Sequence, residues 1–133
     1  KLNDADLKYV THLILGLPGE NRLQMEESLK YVCNKSPFGL KLHMLNIVKG
    51  SQMELTHRDY SYFKSIDHYV NFVCDFIEII PKDITIHRLN GDAPRNILIT
   101  PEWSYKKRTI LNSINKELIN RNSWQGKFFE ITD

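Results

Sequence analysis

The stretch Thr11-His12-Leu13-Ile14-Leu15-Gly16-Leu17-Pro18-Gly19-Glu20 constrains the fold more tightly than any other part of this 133-residue chain. The apolar run from Val10 to Leu15 predicts a buried strand, and it stops in a Gly-Leu-Pro-Gly turn. Glu20 follows at once, and an amphipathic pattern begins at Asn21. Strand, glycine turn, acid and helix in that order form the first half of a parallel β-α-β unit. In sheets built from such units, ligands bind at the carboxyl ends of the strands, where this turn lies. Gly19 after Pro18 suits the positive-φ position of a type II turn, and Gly16 removes a Cβ that would hold a ligand off the backbone.

Two further strand–helix units follow. Asn21 with Gln24 predicts a capping box at the start of a helix over 21–35, whose buried face carries Met25, Leu29, Val32 and Cys33. Ser36-Pro37-Phe38-Gly39 ends it, and a strand is expected over 40–48. A polar, aromatic loop then runs to about Lys64. Ile66, Tyr69, Val70, Val73, Phe76, Ile77 and Ile80 keep helical spacing over 65–80, and Pro81 stops that helix. A short third strand is expected over 83–89, followed by a turn through Asn90-Gly91-Asp92-Ala93-Pro94-Arg95. Thr100 and Pro101 read as N-cap and N1 of a last helix, with Ile110, Leu111, Ile114 and Leu118 as its buried stripe. The expectation is therefore an α/β chain with three parallel strands in one layer, covered by three helices. Three strands make an incomplete sheet, which suits half of an open barrel.

Composition narrows the function. A net charge of +2 does not by itself argue for nucleic acid, and no apolar run reaches the roughly 18 residues of a membrane span. Two cysteines without a disulfide pattern favour a reducing, cytoplasmic setting. The five histidines and two cysteines show neither HxxxH nor CxxC spacing, and Gly-x-Ser-x-Gly is absent, so no metal ligand and no catalytic residue is assigned.

Polar residues on expected strands are the remaining candidates. Alternation puts Lys41, His43 and Leu45 on one face of the second strand, and Leu42, Met44 and Asn46 on the other. A polar row pointing into a barrel is costly without a ligand, which makes His43, with Asn46 near the strand end, a substrate candidate; the alternative is that the row faces outward against helix ends. His87, Arg88, Asp92 and Arg95 form a second group; the two arginines suit a carboxylate or phosphate, while Asp92 equally suits a staple across the turn. Glu20 either anchors a polar ligand group or favours the positive end of the following helix. The last helix is basic, with Lys106, Lys107, Arg108, Lys116, Arg121 and Lys127 against Glu117 between positions 104 and 127.

Gly-Leu-Pro-Gly-Glu after an apolar strand resembles the late-strand motif of radical S-adenosylmethionine (SAM) enzymes. Lys41-Leu42-His43-Met44-Leu45-Asn46-Ile47-Val48-Lys49-Gly50-Ser51, Ile86 to Arg95, and Trp124-Gln125-Gly126-Lys127 are similar to a bacterial branch described as predicted iron–sulfur oxidoreductases. The resemblance runs from about Tyr9 to Lys127. It implies a partial, TIM-like radical SAM barrel, with Ile14, Gly16, Gly19 and Glu20 beside the adenosyl group of S-adenosylmethionine. Ile14 and Gly16 match the family's Gly-x-Ile-x-Gly pattern, whereas His12 stands in place of its first glycine. Such enzymes hold a 4Fe-4S cluster on a CxxxCxxC loop, which Cys33 and Cys74 do not form. The resemblance thus implies the C-terminal portion of a longer enzyme over 1–133, with a family-specific extension from about 83, no stable cluster of its own, and the N-terminal half as its partner. Exposed strand edges would make such a portion self-associate. Its substrate is unknown; RNA is a candidate because some relatives with this barrel modify transfer RNA. The alternative expectation is a non-catalytic RNA- or protein-binding module that uses the basic last helix.

Overall fold

In the computed structural model, which describes residues 8–89 and 93–129, the first strand–turn–helix unit forms as the sequence predicts. Strand β1 (Val10–Leu15) leads through the glycine turn to helix α1 (Arg22–Asn34). Asn21 caps that helix: its side chain accepts from the Gln24 N–H, and Gln24 Oε1 accepts from the Asn21 N–H, both at 2.9 Å. Strand β2 (Gly39–Met44) pairs parallel with β1, from Val10 opposite Gly39 to Leu15 opposite Met44. On the other side of β2 lies β4 (Thr85–Arg88), also parallel, with a register slip between Leu40 and Lys41. The sheet order is β1-β2-β4.

The expected strand over 40–48 is two strands. β2 ends at Met44, and β3 (Ile47–Val48) pairs antiparallel with β5 (Leu98–Thr100) in a separate two-stranded ribbon. The break has a local cause: the Asn46 amide donates to the Met44 carbonyl at 3.1 Å, a side-chain bond that competes with the ladder. The apolar run continued across the break because both strands bury side chains. The expected loop before residue 64 contains a short helix, α2 (Gln52–His57), whose Ser51 hydroxyl accepts from the Glu54 N–H. Helix α3 (Ile66–Ile77) is capped by Ser65.

The last helix also departs from expectation. Thr100 ends β5, and its hydroxyl donates to the Arg58 carbonyl at 2.6 Å instead of capping a helix. Pro101 opens a 3-10 turn over Glu102–Tyr105, and helix α4 (Lys107–Asn120) starts only after it. On α4 the Ile110 and Ile114 side chains are buried and Leu118 partly so, but Leu111 is 40% exposed, outside the stripe assigned to it.

One buried cluster joins alternate strand residues to three helices: Leu15, Leu40, Leu42 and Met44 pack with Met25 and Leu29 of α1, Tyr69, Val70, Val73 and Phe76 of α3, and Ile110 and Ile114 of α4. Cys74 belongs to this core, while Cys33 is only half-buried. Polar bonds tie the helices together at the rim. Asp75 on α3 takes Arg22 of α1 at 2.8 Å and Arg121 after α4 at 2.7 Å, and Arg121 also reaches Glu78, Glu117 and Asn71. The Gln125 amide donates to the Pro81 and Ile84 carbonyls, which pins the Trp124-to-Lys127 segment against the entry to β4.

Candidate functional site

The residues between those of the core point to the other face of the sheet. Leu15 is fully buried, whereas Ile14 beside it is 46% exposed and His12 is exposed. On β2, Leu40, Leu42 and Met44 are at most 2% exposed, while Lys41 and His43 lie half-buried on the side away from the helices. The polar row foreseen for this strand is therefore present on the uncovered face. The His12 and His43 rings stack there with centroids 5.2 Å apart and planes 18° from parallel.

At the carboxyl ends of β1 and β2 this face dips into a depression of about 410 Å³ whose lining includes Ile14, His43, Leu45, Asn46, Val48 and Ala93. Asn46 was expected on the Leu42 and Met44 face, but alternation stops with β2 at Met44, so Asn46 shares the depression with His43. Its Nδ2 is satisfied by the Met44 carbonyl; its Oδ1 is buried and accepts no hydrogen bond among the described residues. Buried acceptors in native proteins are nearly always paired, so such an oxygen marks a place for a donor.

The glycine turn follows directly on β1, and Gly16 shares a small pocket with Leu45, which also lines this depression. The Glu20 N–H bonds the Leu17 carbonyl at 3.1 Å, closing a turn in which Gly19 has φ +82°, the geometry a Pro-Gly type II turn requires. Gly16 has φ +87°, and a Cβ there would meet Phe63 and Tyr62 at 3.2 Å. The close approach that Gly16 permits is thus to the aromatic segment after α2, whose Tyr60 hydroxyl also donates to the Leu17 carbonyl. Glu20 is half-buried, and its Oε1, like Asn46 Oδ1, is buried and unpartnered among the described residues. Burial, then Tyr62 and Glu20, push the Tyr60 phenol upward from its usual range.

The second group of candidates does not join this site. His87 lies over Gly39, where a Cβ would overlap its ring, and its ring centroid is 6.1 Å from that of Phe38. That is the amino end of β2, opposite the depression. Arg88 pairs in register with Lys41, and the Arg95 guanidinium stacks on Tyr105 at 4.3 Å. Asp92 lies outside the described residues. Of the basic set, Arg121 is taken up by its acidic partners on α3 and α4. Sequence reasoning missed Val48, Leu45 and Ala93, which become neighbours of Ile14 only through the change of sheet after Met44.

Both thiols are held protonated. Burial, then the Asp83 charge, raise Cys33 to about 11, and burial raises Cys74 to about 11 against the opposing Arg121 charge. Thiols ligate metals as thiolates, so neither is poised for that role. Among the described residues no three His, Cys, Asp or Glu side chains converge as a metal site, and no helix is long and apolar enough to cross a membrane.

Comparison with known proteins places this geometry in a family. The model of the Radical_SAM C-terminal domain matches residues 37–120. The uncharacterized protein YtqA of Bacillus subtilis is 43% identical over 131 residues, which is 98% of this chain and 41% of that protein. The uncharacterized protein MJ0486 of Methanocaldococcus jannaschii is 33% identical over 92% of the chain, and protein YhcC of Escherichia coli 31% over 90%; the chain covers 39% of each. It therefore spans about two-fifths of the length of the curated relatives it matches.

Proposed function

This chain belongs to the Radical_SAM C-terminal domain family, and from that premise we propose that it forms part of the S-adenosylmethionine-binding wall of a radical SAM enzyme whose iron–sulfur cluster is held by another part of the protein. The observation that carries this is the depression at the carboxyl ends of β1 and β2, with its unpartnered Asn46 Oδ1. A purine is flat and largely apolar, and its exocyclic amino group is a donor. Ile14, Leu45, Val48 and Ala93 offer it apolar contact, and Asn46 Oδ1 accepts from the amino group. Glu20, just past the Gly16–Gly19 turn and with a buried, unpartnered Oε1 among the described residues, would accept from a hydroxyl or ammonium of the same ligand. Asn46 is fixed for this role through its bond to the Met44 carbonyl, so it loses little freedom on binding.

When bound, S-adenosylmethionine and a 4Fe-4S cluster supply the electron transfer and hydrogen abstraction of this chemistry. The cluster does not fit this chain: it has two cysteines, both kept as thiols. The chain's contribution is to bind and orient the adenosyl group and to keep water from it. Among the described residues β1 pairs only with β2. Its outer edge and the uncovered face are where the remaining strands of a barrel would join, in a protein of reducing, cytoplasmic surroundings. His43 and Lys41, on that face, would line the interior near the substrate.

The test is equilibrium binding of S-adenosylhomocysteine to the protein that contains this chain together with its cluster-binding part. Asn46→Leu should weaken binding about tenfold, the cost of one lost hydrogen bond to a buried partner, while His87→Ala leaves it unchanged. Equal affinity in wild type and Asn46→Leu, with an unaltered melting temperature, rejects the assignment.

A further inference from the structure

The glycine turn is held from outside by the segment that follows α2. The Leu17 carbonyl accepts twice, from the Glu20 N–H at 3.1 Å within the turn and from the Tyr60 hydroxyl at 3.2 Å, 43 positions further along the chain. One oxygen therefore joins the turn that leads to Glu20 to a phenol from another part of the fold. Glu20 itself ends in a buried Oε1 that takes no donor among the described residues. A buried acceptor left open marks a place for a donor, so the orientation of this side chain matters to whatever binds there.

Tyr60 is placed to fix that orientation. Two residues before it, the Arg58 carbonyl accepts from the Thr100 hydroxyl at 2.6 Å, which ties the segment to β5. Three residues after it, Phe63 is buried and packs edge-on against Tyr69, with ring centroids 4.8 Å apart. Between these anchors the phenol has little freedom to lose. Burial first, then Tyr62 and Glu20, raise it above its usual range, so it stays a donor throughout neutral pH. The segment also fits the turn closely. Leu15, Gly16 and Leu45 on one side and Tyr60 to Phe63 on the other enclose about 10 Å³, the least volume that admits one water. A ligand has no room on this side, so the segment is a backing to the turn and not a lid over it.

We propose that Tyr60 is a positioning residue of the adenosyl site: through the Leu17 carbonyl its hydroxyl sets the turn so that the Glu20 carboxylate meets a donor on the ligand. The inference deepens the proposed function and rests on it, because Glu20 has a ligand to meet only if the depression binds one. A phenol that merely held the fold would show its effect in stability, whatever residue stood at position 20. One that acts through Glu20 shows its effect in binding, and loses it when Glu20 is removed.

A double-mutant cycle tests this, read as S-adenosylhomocysteine affinity of the protein that contains this chain together with its cluster-binding part. Tyr60→Phe should weaken binding about fivefold, the range of one hydrogen bond, with an unaltered melting temperature. In Glu20→Ala, which already lacks the acceptor, adding Tyr60→Phe should weaken binding less than about twofold further, whereas in Asn46→Leu the full loss persists. Equal affinity in wild type and Tyr60→Phe, or the same loss with and without Glu20, overturns the proposal. The Asn46→Leu arm separates it from the reading on which it rests. Weakened binding in Asn46→Leu with none lost in Tyr60→Phe removes the role of Tyr60 alone. Binding in Asn46→Leu as tight as in wild type rejects the adenosyl assignment and the role of Tyr60 together.

Discussion

The two faces of the β1-β2-β4 sheet are made by the same strands, and neighbouring residues on them do different work. On the covered face Leu15, Leu40, Leu42 and Met44 are sealed under three helices. One position away, Ile14 is 46% exposed and Lys41 and His43 are half-buried. Burial of apolar surface drives folding in proportion to area, so the first face sets stability and the second is free to serve binding.

The sharpest way to break this comparison is to truncate adjacent residues. Leu42→Ala should cost about 3 kcal/mol, the range for a fully buried leucine, while His43→Ala should change stability by less than about 0.5 kcal/mol. Urea unfolding of both variants checks it; comparable losses would mean that the uncovered face also carries the fold. Next comes the polar clamp over the helices. Arg121→Met should cost about 2 kcal/mol in the same assay, below the usual figure for a broken buried pair because the guanidinium is partly exposed.

Alkaline pH attacks the covered side. Cys33 and Cys74 are raised to about 11 from 9.0, and burial raises the Tyr69 phenol, whose hydroxyl donates to the Leu89 carbonyl. Groups whose folded pKa is raised contribute stability that is complete below the unfolded pKa and is lost as pH climbs toward the folded one. The unfolding midpoint should therefore be flat up to about pH 8.5 and fall above it as the unfolded thiols ionise, more gently in Cys74→Ala. A midpoint that rises over that interval would contradict the burial of these groups. A smaller loss, about 1 kcal/mol, is expected for Asn21→Ala, which removes the cap of α1.

The smallest effect on stability belongs to the uncovered edge. Ile14→Lys should change it by less than about 0.5 kcal/mol, yet shift the isolated chain toward monomer in light scattering, because a charge on an edge strand discourages pairing between copies. Association unaffected by Ile14→Lys would place the contact elsewhere.

The same division explains what was legible in the sequence. The Asn21–Gln24 capping box, the Pro18–Gly19 turn and the helical stripe of α3 are local signals, and each formed where the sequence put it. Ser51 and Glu54 carry a capping signature of the same kind, which would have revealed α2 inside the expected loop. The change of sheet after Met44 was hidden because hydrophobicity reports burial and not the partner strand. Thr100-Pro101 reads equally as a helix start or a strand end, and the Thr100 bond to Arg58 decides between them. At the site, Ile14 and the glycines were visible in sequence, as was the polar character of His43. The unpartnered oxygen of Asn46 was not, because it exists only once β2 has ended and the ribbon has folded beside it.

Hydrogen exchange on the protein containing this chain and its cluster-binding part, with and without S-adenosylhomocysteine, tests the central claim most directly. Backbone amides over 12–16 and 43–48 should exchange more slowly with the ligand bound, while those of α3, on the covered face, remain unchanged. Ligand-dependent protection that leaves both of those segments untouched would contradict the assignment of the depression to the adenosyl group.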